Sequence, residues 1–330
     1  MKQPIYQNKK PSHIRENCEI ITLSLVVPVF NESETVEFFL QEISKTFKER
    51  QEIKLEIIFI NDGSSDDTLE KLISFQDIYP AIRIVDLSRN FGKEAALTAG
   101  LHACQGQVVV PIDVDLQDPP ELILKMLEKW QEGFEVVVAR RISRNADTWA
   151  KRTTAEWFYR LHNKISDLKI PENCGDFRLM ERKVVDALNL LPESKRFMKG
   201  LFAWIGFRTA IVDYVRLERV AGKSKFNGWR LWNLALEGIT SFTTLPLRLW
   251  TYIGLAVAIF SLTFAIVIIM RVLVFGIDVP GYASLVVAIT FLSGLQIIGI
   301  GIIGEYLGRT YIESKYRPVY IVRYIYESER

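Results

Sequence analysis

Apolar positions in this chain follow two patterns. From residue 22 to 140, short apolar runs alternate with stretches of helical spacing. The runs are TLSLVVPVF (22–30), LEIIFI (55–60), IRIVDL (82–87), QVVVPI (107–112) and EVVVAR (135–140), rich in β-branched residues. Continuous apolar runs of this length, bounded by polar turns, predict strands buried on both faces. After the first run, Val36, Phe39, Leu40, Ile43 and Phe47 recur at the period of a helix with one apolar face. A second helix is expected from about Asp67, where Asp67 and Glu70 form a capping box. The alternation predicts an α/β fold: a mainly parallel, Rossmann-like sheet with helices on both faces. Ligands of such sheets bind at the carboxyl ends of the strands.

The second pattern begins after Trp250. Residues Thr251 to Met270 carry no charge, and neither do Val279 to Gly304. Twenty helical residues span about 30 Å, the thickness of a bilayer's hydrocarbon layer. The two runs predict a transmembrane hairpin with helices at about 251–271 and 281–303. Arg248, Arg309, Lys315, Arg317 and Arg323 lie near its outer ends, whereas the turn holds only Arg271 among basic residues. The positive-inside rule then puts both termini and the large N-terminal region in the cytoplasm, with the hairpin in the cell (inner) membrane. Residues 1–20 are polar, with no apolar core of a signal peptide. The expected division is a polar extension (1–21), a catalytic domain (22–226), an amphipathic juxtamembrane helix (227–248), the hairpin (249–304) and a cytoplasmic tail (305–330).

Composition sharpens this picture. Lys and Arg number 41 against 39 Asp and Glu, a net charge of +2, and this balance excludes a disordered polyelectrolyte. Mean hydropathy of +0.11 is high for a chain that is 24% charged, as expected when apolar residues are concentrated in a membrane segment. Cys18, Cys104 and Cys174 are far apart and form no disulfide framework or metal pair.

Polar clusters follow three of the predicted strands: Asn31-Glu32, Asn61 to Thr68, and Asp113 to Pro120. Asp113 and Asp115 repel each other unless a cation lies near. Hard carboxylate oxygens suit Mg²⁺ or Mn²⁺, which also bind phosphate, so the pair predicts a metal–diphosphate site. A solvated acidic turn is the alternative. Gly222-Lys223-Ser224 lacks the upstream glycine of a Walker A loop, since position 217 is Leu217. No GxGxxG follows the first strand, so a dinucleotide site has no support. Residues 140–169 and 216–230 are basic and contain or lead into tryptophans: Trp149, Trp157, Trp229 and Trp232. Both read as amphipathic helices at an anionic membrane surface, with packing of their aromatics in a core as the alternative. Nucleic acid is not the expected partner, because membrane spans adjoin these segments.

VVPVFNES (26–33), NDGSSDDT (61–68) and DVDLQDPPE (113–121) resemble motifs of the family 2 glycosyltransferases with the GT-A fold. GDFRLM (175–180), RVAGKSKF (219–226) and the hairpin narrow the resemblance to membrane-bound polyprenyl-phosphate glycosyltransferases, which include the GtrB-type glucosyltransferases and the dolichol-phosphate mannose synthases. It covers about residues 22–320. The resemblance implies that Pro28, Phe30, Glu32 and Asp62 contact the nucleotide. Asp113 and Asp115 correspond to the DxD motif that handles diphosphate and metal, and Gln117 to a third metal contact. Asp176 falls at a proposed catalytic carboxylate. Arg219, Lys223 and Lys225 look like the group that faces the acceptor phosphate. Asn61 stands where many members have Asp. The implied reaction is inverting, metal-dependent transfer of a sugar to undecaprenyl (polyprenyl) phosphate, with UDP-glucose the favoured donor. Mannosyl or aminoarabinosyl transfer is the nearest alternative, and a non-catalytic membrane scaffold is an alternative of another class. A homo-oligomer and a flippase partner are compatible with the resemblance.

Overall fold

The computed structural model describes residues 20–142, 174–194, 196–215, 244–275 and 281–327. The predicted alternation is present. In chain order the elements are β1 (Ile21–Val29), α1 (Val36–Phe47), β2 (Ile53–Asn61), α2 (Thr68–Gln76), β3 (Ile82–Leu87), α3 (Lys93–Ala103), β4 (Val108–Pro111), α4 (Leu122–Gln131) and β5 (Val136–Arg141). They continue with β6 (Cys174–Glu181), α5 (Arg182–Asn189), α6 (Met198–Trp204), β7 (Thr209–Tyr214), α7 (Leu245–Phe275), α8 (Tyr282–Ser314) and β8 (Val322–Glu327).

The strands form one eight-stranded sheet in the order β7-β5-β6-β4-β1-β2-β3-β8. Strands β1 to β5 and β7 run one way, and β6 and β8 run the other. β1 is central and buried because alternate side chains feed two cores. Leu23, Leu25 and Val27 pack with α1, α2 and α4 on one face. Val26 packs with α3, α5 and α6 on the other. On α1, Val36, Phe39, Leu40, Ile43 and Phe47 are the buried stripe, as their spacing predicts. Phe39 meets Phe59 of β2 edge-to-face, with centroids 5.9 Å apart. Such a pair contributes about 0.5–1.5 kcal/mol beyond the area that it buries.

Two placements differ from a simple reading of the strand series. β5 does not lie beside β4. Instead β6 enters between them, antiparallel to both, with Val109 opposite Met180 and Val137 opposite Leu179. The tail is also more than an extension: β8 pairs antiparallel with β3 at the sheet edge. Arg323 of β8 donates to the Ser88 carbonyl at 2.7 Å, and Gln76 donates to the Tyr326 carbonyl at 3.1 Å.

Helices α7 and α8 are longer than the expected spans. Within α8, Val287–Ser314 is long and apolar enough to cross a membrane, and α7 carries a shorter apolar stretch, Leu249–Phe264. A Cβ on Gly299 would lie 1.9 Å from the Trp250 indole nitrogen, so glycine is required where the two helices meet. Large apolar side chains on both helices face outward, with Phe260 72% and Ile297 69% exposed. The C-terminal end of α8 is tied to the domain by Glu313, which accepts from the Ser194 backbone N–H and hydroxyl at 3.0 and 2.9 Å.

Candidate active site

Parallel pairing brings the carboxyl ends of β1, β2 and β4 to one edge. Because β6 is antiparallel to β4, its amino end, with Asp176, comes to that same edge. Helix α3, which follows β3, contributes its first residue, Lys93, there. The Lys93 ammonium lies 2.6 and 2.8 Å from the two Asp113 carboxylate oxygens and 3.4 Å from Asp176 Oδ2. Protein packed around the ammonium opposes its charge, but Asp113 and Asp176 outweigh that and hold its pKa above the ordinary lysine value.

Asp176 is held between cations. Burial disfavours its ionised form, yet Lys93, Lys199 and Arg178 overcome this and keep its pKa below the usual value. Arg178 is itself buried, and burial lowers its pKa to about 10 against the pull of Asp176, so it stays charged at neutral pH. Its guanidinium stacks over the Phe202 ring at 3.8 Å and donates to the Gly175 carbonyl at 2.7 Å. Beside Lys93, burial and then the Asp176 charge push the Glu94 carboxyl up to about 8. Among the described residues, Asp176 Oδ1 is buried with no hydrogen-bond partner.

The loop after β4 is shaped by its own residues. Leu116 adopts a left-handed conformation (φ 52°), and the Gln117 N–H donates to Asp115 Oδ1 at 3.2 Å. Gln117 and Asp118 are buried. The Tyr214 hydroxyl donates to Asp118, and Arg141 Nε donates to that hydroxyl at 3.1 Å. Thus β5 and β7 anchor the acidic loop from its far side.

The ends of β1 and β2 interlock. Asn31, also left-handed (φ 55°), accepts from the Ser65 N–H at 2.8 Å, while its own N–H donates to Ser64 Oγ at 3.0 Å. The Glu32 N–H donates to Thr68 Oγ1 at 3.0 Å, and Thr35 Oγ1 donates to the Glu32 carboxylate at 3.0 Å. Pro28 lies in β1, and Phe30 is exposed beyond its end. Asn61 donates to buried Asp86 at 2.7 Å. An Asp at position 61 would put two carboxylates together, which accounts for the amide here.

Asp62, expected at the nucleotide, bonds to backbone in this structure. It is buried, and its two oxygens accept from the Phe91 N–H at 2.7 Å and the Gly92 N–H at 2.9 Å. Burial raises its pKa, while those two donors and Arg89 pull it down. Its carboxylate orders the loop that carries Lys93. Gly63 permits the close approach: φ is 65°, and a Cβ would lie 2.5 Å from the Arg89 carbonyl carbon.

Asp113, Asp115 and Asp176 therefore sit at one mouth of the sheet. Among the described residues, no group of three His, Cys, Asp or Glu side chains converges as a ready-made metal site. The donor chemistry still fits a hard divalent cation. Carboxylate oxygens lie at the loop, Asp176 has an unsatisfied buried oxygen, and a cation already sits against Asp113 in the form of Lys93. Arg219, Lys223 and Lys225, together with residues 143–169 and 216–230 of the two basic segments, lie outside the described residues, whereas Arg140 and Arg141 lie at the end of β5. Sequence reasoning missed Lys93 and Arg178. A lysine at the first position of a helix is the signal for the former, since the helix dipole disfavours a cation there unless an acid faces it.

Comparison with known proteins gives the family. Residues 24–188 match the family model for glycosyl transferase family 2. The bactoprenol glucosyl transferase of Shigella phage SfV is 56% identical over 301 residues, covering 91% of this chain and 98% of that protein. A prophage bactoprenol glucosyl transferase homolog of Escherichia coli K12 is 54% identical with the same coverage. Among solved structures, glucosyl-3-phosphoglycerate synthase from Mycobacterium tuberculosis with Mn²⁺, UDP-glucose and phosphoglyceric acid overlaps 67% of this chain and 78% of its own, at 21% identity and a TM-score of 0.46. With its strand-end motifs at one mouth and relatives matched along nearly their whole length, the chain belongs to glycosyltransferase family 2.

Proposed function

We propose that this enzyme transfers glucose from UDP-glucose to undecaprenyl (polyprenyl) phosphate at the cytoplasmic face of the cell membrane. The observation that carries the reading is the match to bactoprenol glucosyl transferases, which takes in both the acidic mouth and the apolar helices. A water-soluble donor and a membrane-bound acceptor meet only where a polar site adjoins a bilayer anchor. Here the α8 end is bonded to the catalytic domain through Glu313.

In this reading Pro28, Phe30 and Glu32 face the nucleotide, and Asp62 serves it by ordering the loop of residues 89–92. Asp113, Asp115 and Gln117 hold Mg²⁺ or Mn²⁺ with the diphosphate. When bound, the metal offsets the charge that builds on the leaving diphosphate. An acceptor phosphate oxygen forms the new bond to the anomeric carbon as its bond to the β-phosphate oxygen breaks, and the electron pair leaves with the nucleoside diphosphate. The acceptor's second pKa is about 6, so it is largely a dianion at neutral pH and needs no strong base. Asp176 therefore orients the acceptor or donor sugar and takes a proton only from the minor monoanion. Direct displacement inverts the anomeric centre. Arg219, Lys223 and Lys225 bind the acceptor phosphate. Helices α7 and α8 both enter the membrane, leaving the termini in the cytoplasm.

The test uses the full chain in lipid nanodiscs with undecaprenyl phosphate and a panel of labelled nucleotide sugars. Label from UDP-glucose should pass into the lipid extract with inverted configuration. Transfer only from another donor, or a product of retained configuration, overturns the donor or the displacement mechanism respectively.

A further inference from the structure

Lys93 belongs to none of the motifs that point to a metal or a nucleotide, yet it touches two of the three acidic residues at the mouth, Asp113 and Asp176. Its ammonium occupies both oxygens of Asp113 and reaches Asp176. Held this way, Asp113 has no oxygen clear of the ammonium. The Lys93 side chain is nevertheless 48% exposed, against 34% for Asp113 and 22% for Asp176, so the cluster is open to solvent along the lysine. It starts α3, where the N-terminal dipole repels a cation but attracts phosphate. The loop before it is fixed by Asp62 and Gly63, so its backbone position is set before any ligand arrives.

We propose that Lys93 is a resident cation of the donor cleft. Without donor it neutralises Asp113 and Asp176. When a metal takes Asp113, the ammonium turns to the diphosphate of the nucleotide. The inference rests on the reading of the cleft as a metal–nucleotide site and adds a residue to it. Lys93 and the metal then compete for Asp113 in the empty protein but act together on the donor.

Two binding measurements on the full chain test this, and neither needs turnover. One is Mn²⁺ binding without nucleotide, followed by the electron paramagnetic resonance of free Mn²⁺. The other is UDP binding at saturating Mn²⁺, followed by calorimetry. Lys93→Gln should bind Mn²⁺ about tenfold more tightly and UDP about tenfold more weakly than the native protein, the scale of one charged hydrogen bond. Lys93→Arg, which keeps the charge, should stay nearer the native values in both. Unchanged affinities in Lys93→Gln, or a change in only one of them, overturn the proposal. Should Lys93→Gln fail to fold, UDP with Mn²⁺ must still protect Lys93 of the native protein from amine-reactive labelling, beyond any protection by Mn²⁺ alone, as read by mass spectrometry. Absence of protection overturns the proposal. A native protein that binds neither Mn²⁺ nor UDP overturns the nucleotide-site reading itself, and Lys93's role with it.

Discussion

On the β2–β3 side of the mouth, Asp62 is buried and both its oxygens accept backbone N–H groups. On the β4–β6 side, Asp113 and Asp176 are partly open, held by a lysine ammonium, and one Asp176 oxygen has no partner among the described residues. The two regions use the same functional group for different ends. A buried carboxylate with a fixed backbone donor on each oxygen orders the chain around it. A carboxylate held by a movable cation can exchange that cation for a ligand. Carboxylates in motifs of the same kind thus differ in what holds them: backbone at Asp62, a side-chain cation at Asp113 and Asp176.

Substitutions can break this distinction, and the largest effect is expected on the open side. Asp115→Ala should lower sugar transfer by about 10²–10³-fold, the loss typical of one preorganised electrostatic group, while the unfolding midpoint stays near that of the native protein. On the closed side the order reverses, with stability affected first. Gly63→Ala forces a left-handed alanine against the Arg89 backbone and should cost about 2–3 kcal/mol in denaturant unfolding. Asp62→Asn should cost about 1–2 kcal/mol, because its amide nitrogen cannot accept from Phe91 or Gly92. If Asp62→Asn lowers transfer by more than about tenfold with stability unchanged, Asp62 acts on the donor directly and the contrast fails.

The last effect is read through pH and concerns Glu94, whose pKa is about 8 in the fold against an ordinary 4.5. The folded protein keeps a proton that the unfolded chain releases, so this group makes stability fall as pH rises from about 4.5 to 8. Glu94→Gln removes that dependence. Its melting temperature should gain steadily on the native protein as pH rises across this range. A constant difference between pH 5 and 8 would show that Glu94 ionises normally.

Much of the fold was legible because its signals are local. β1, β2, β3 and α1 follow from runs and periods within a dozen residues, and they appear where the pattern puts them. The Asp113–Asp115 pair was legible for the same reason, since two adjacent like charges after a buried strand call for a cation. Asp62 was legible as a site residue but not as a buried one, because its partners are backbone amides in a loop about thirty residues away. The insertion of β6 between β4 and β5, and the docking of β8 on β3, have no local signal. Strand order depends on which edges remain open once the central strands have paired.

Hydropathy along the chain determined which residues lie inside the sheet, which form long apolar helices, and where acidic groups gather at strand ends. Each follows from side-chain chemistry and a short repeat. Tertiary structure alone decided that Asp176, Asp113 and Lys93 meet. They belong to β6, the loop after β4 and the start of α3, and only antiparallel entry of β6 brings its first residues to the carboxyl ends of its neighbours. Charges distant in sequence acquire a common function when the sheet fixes them within a few ångströms, because there their Coulomb interaction exceeds what water would screen.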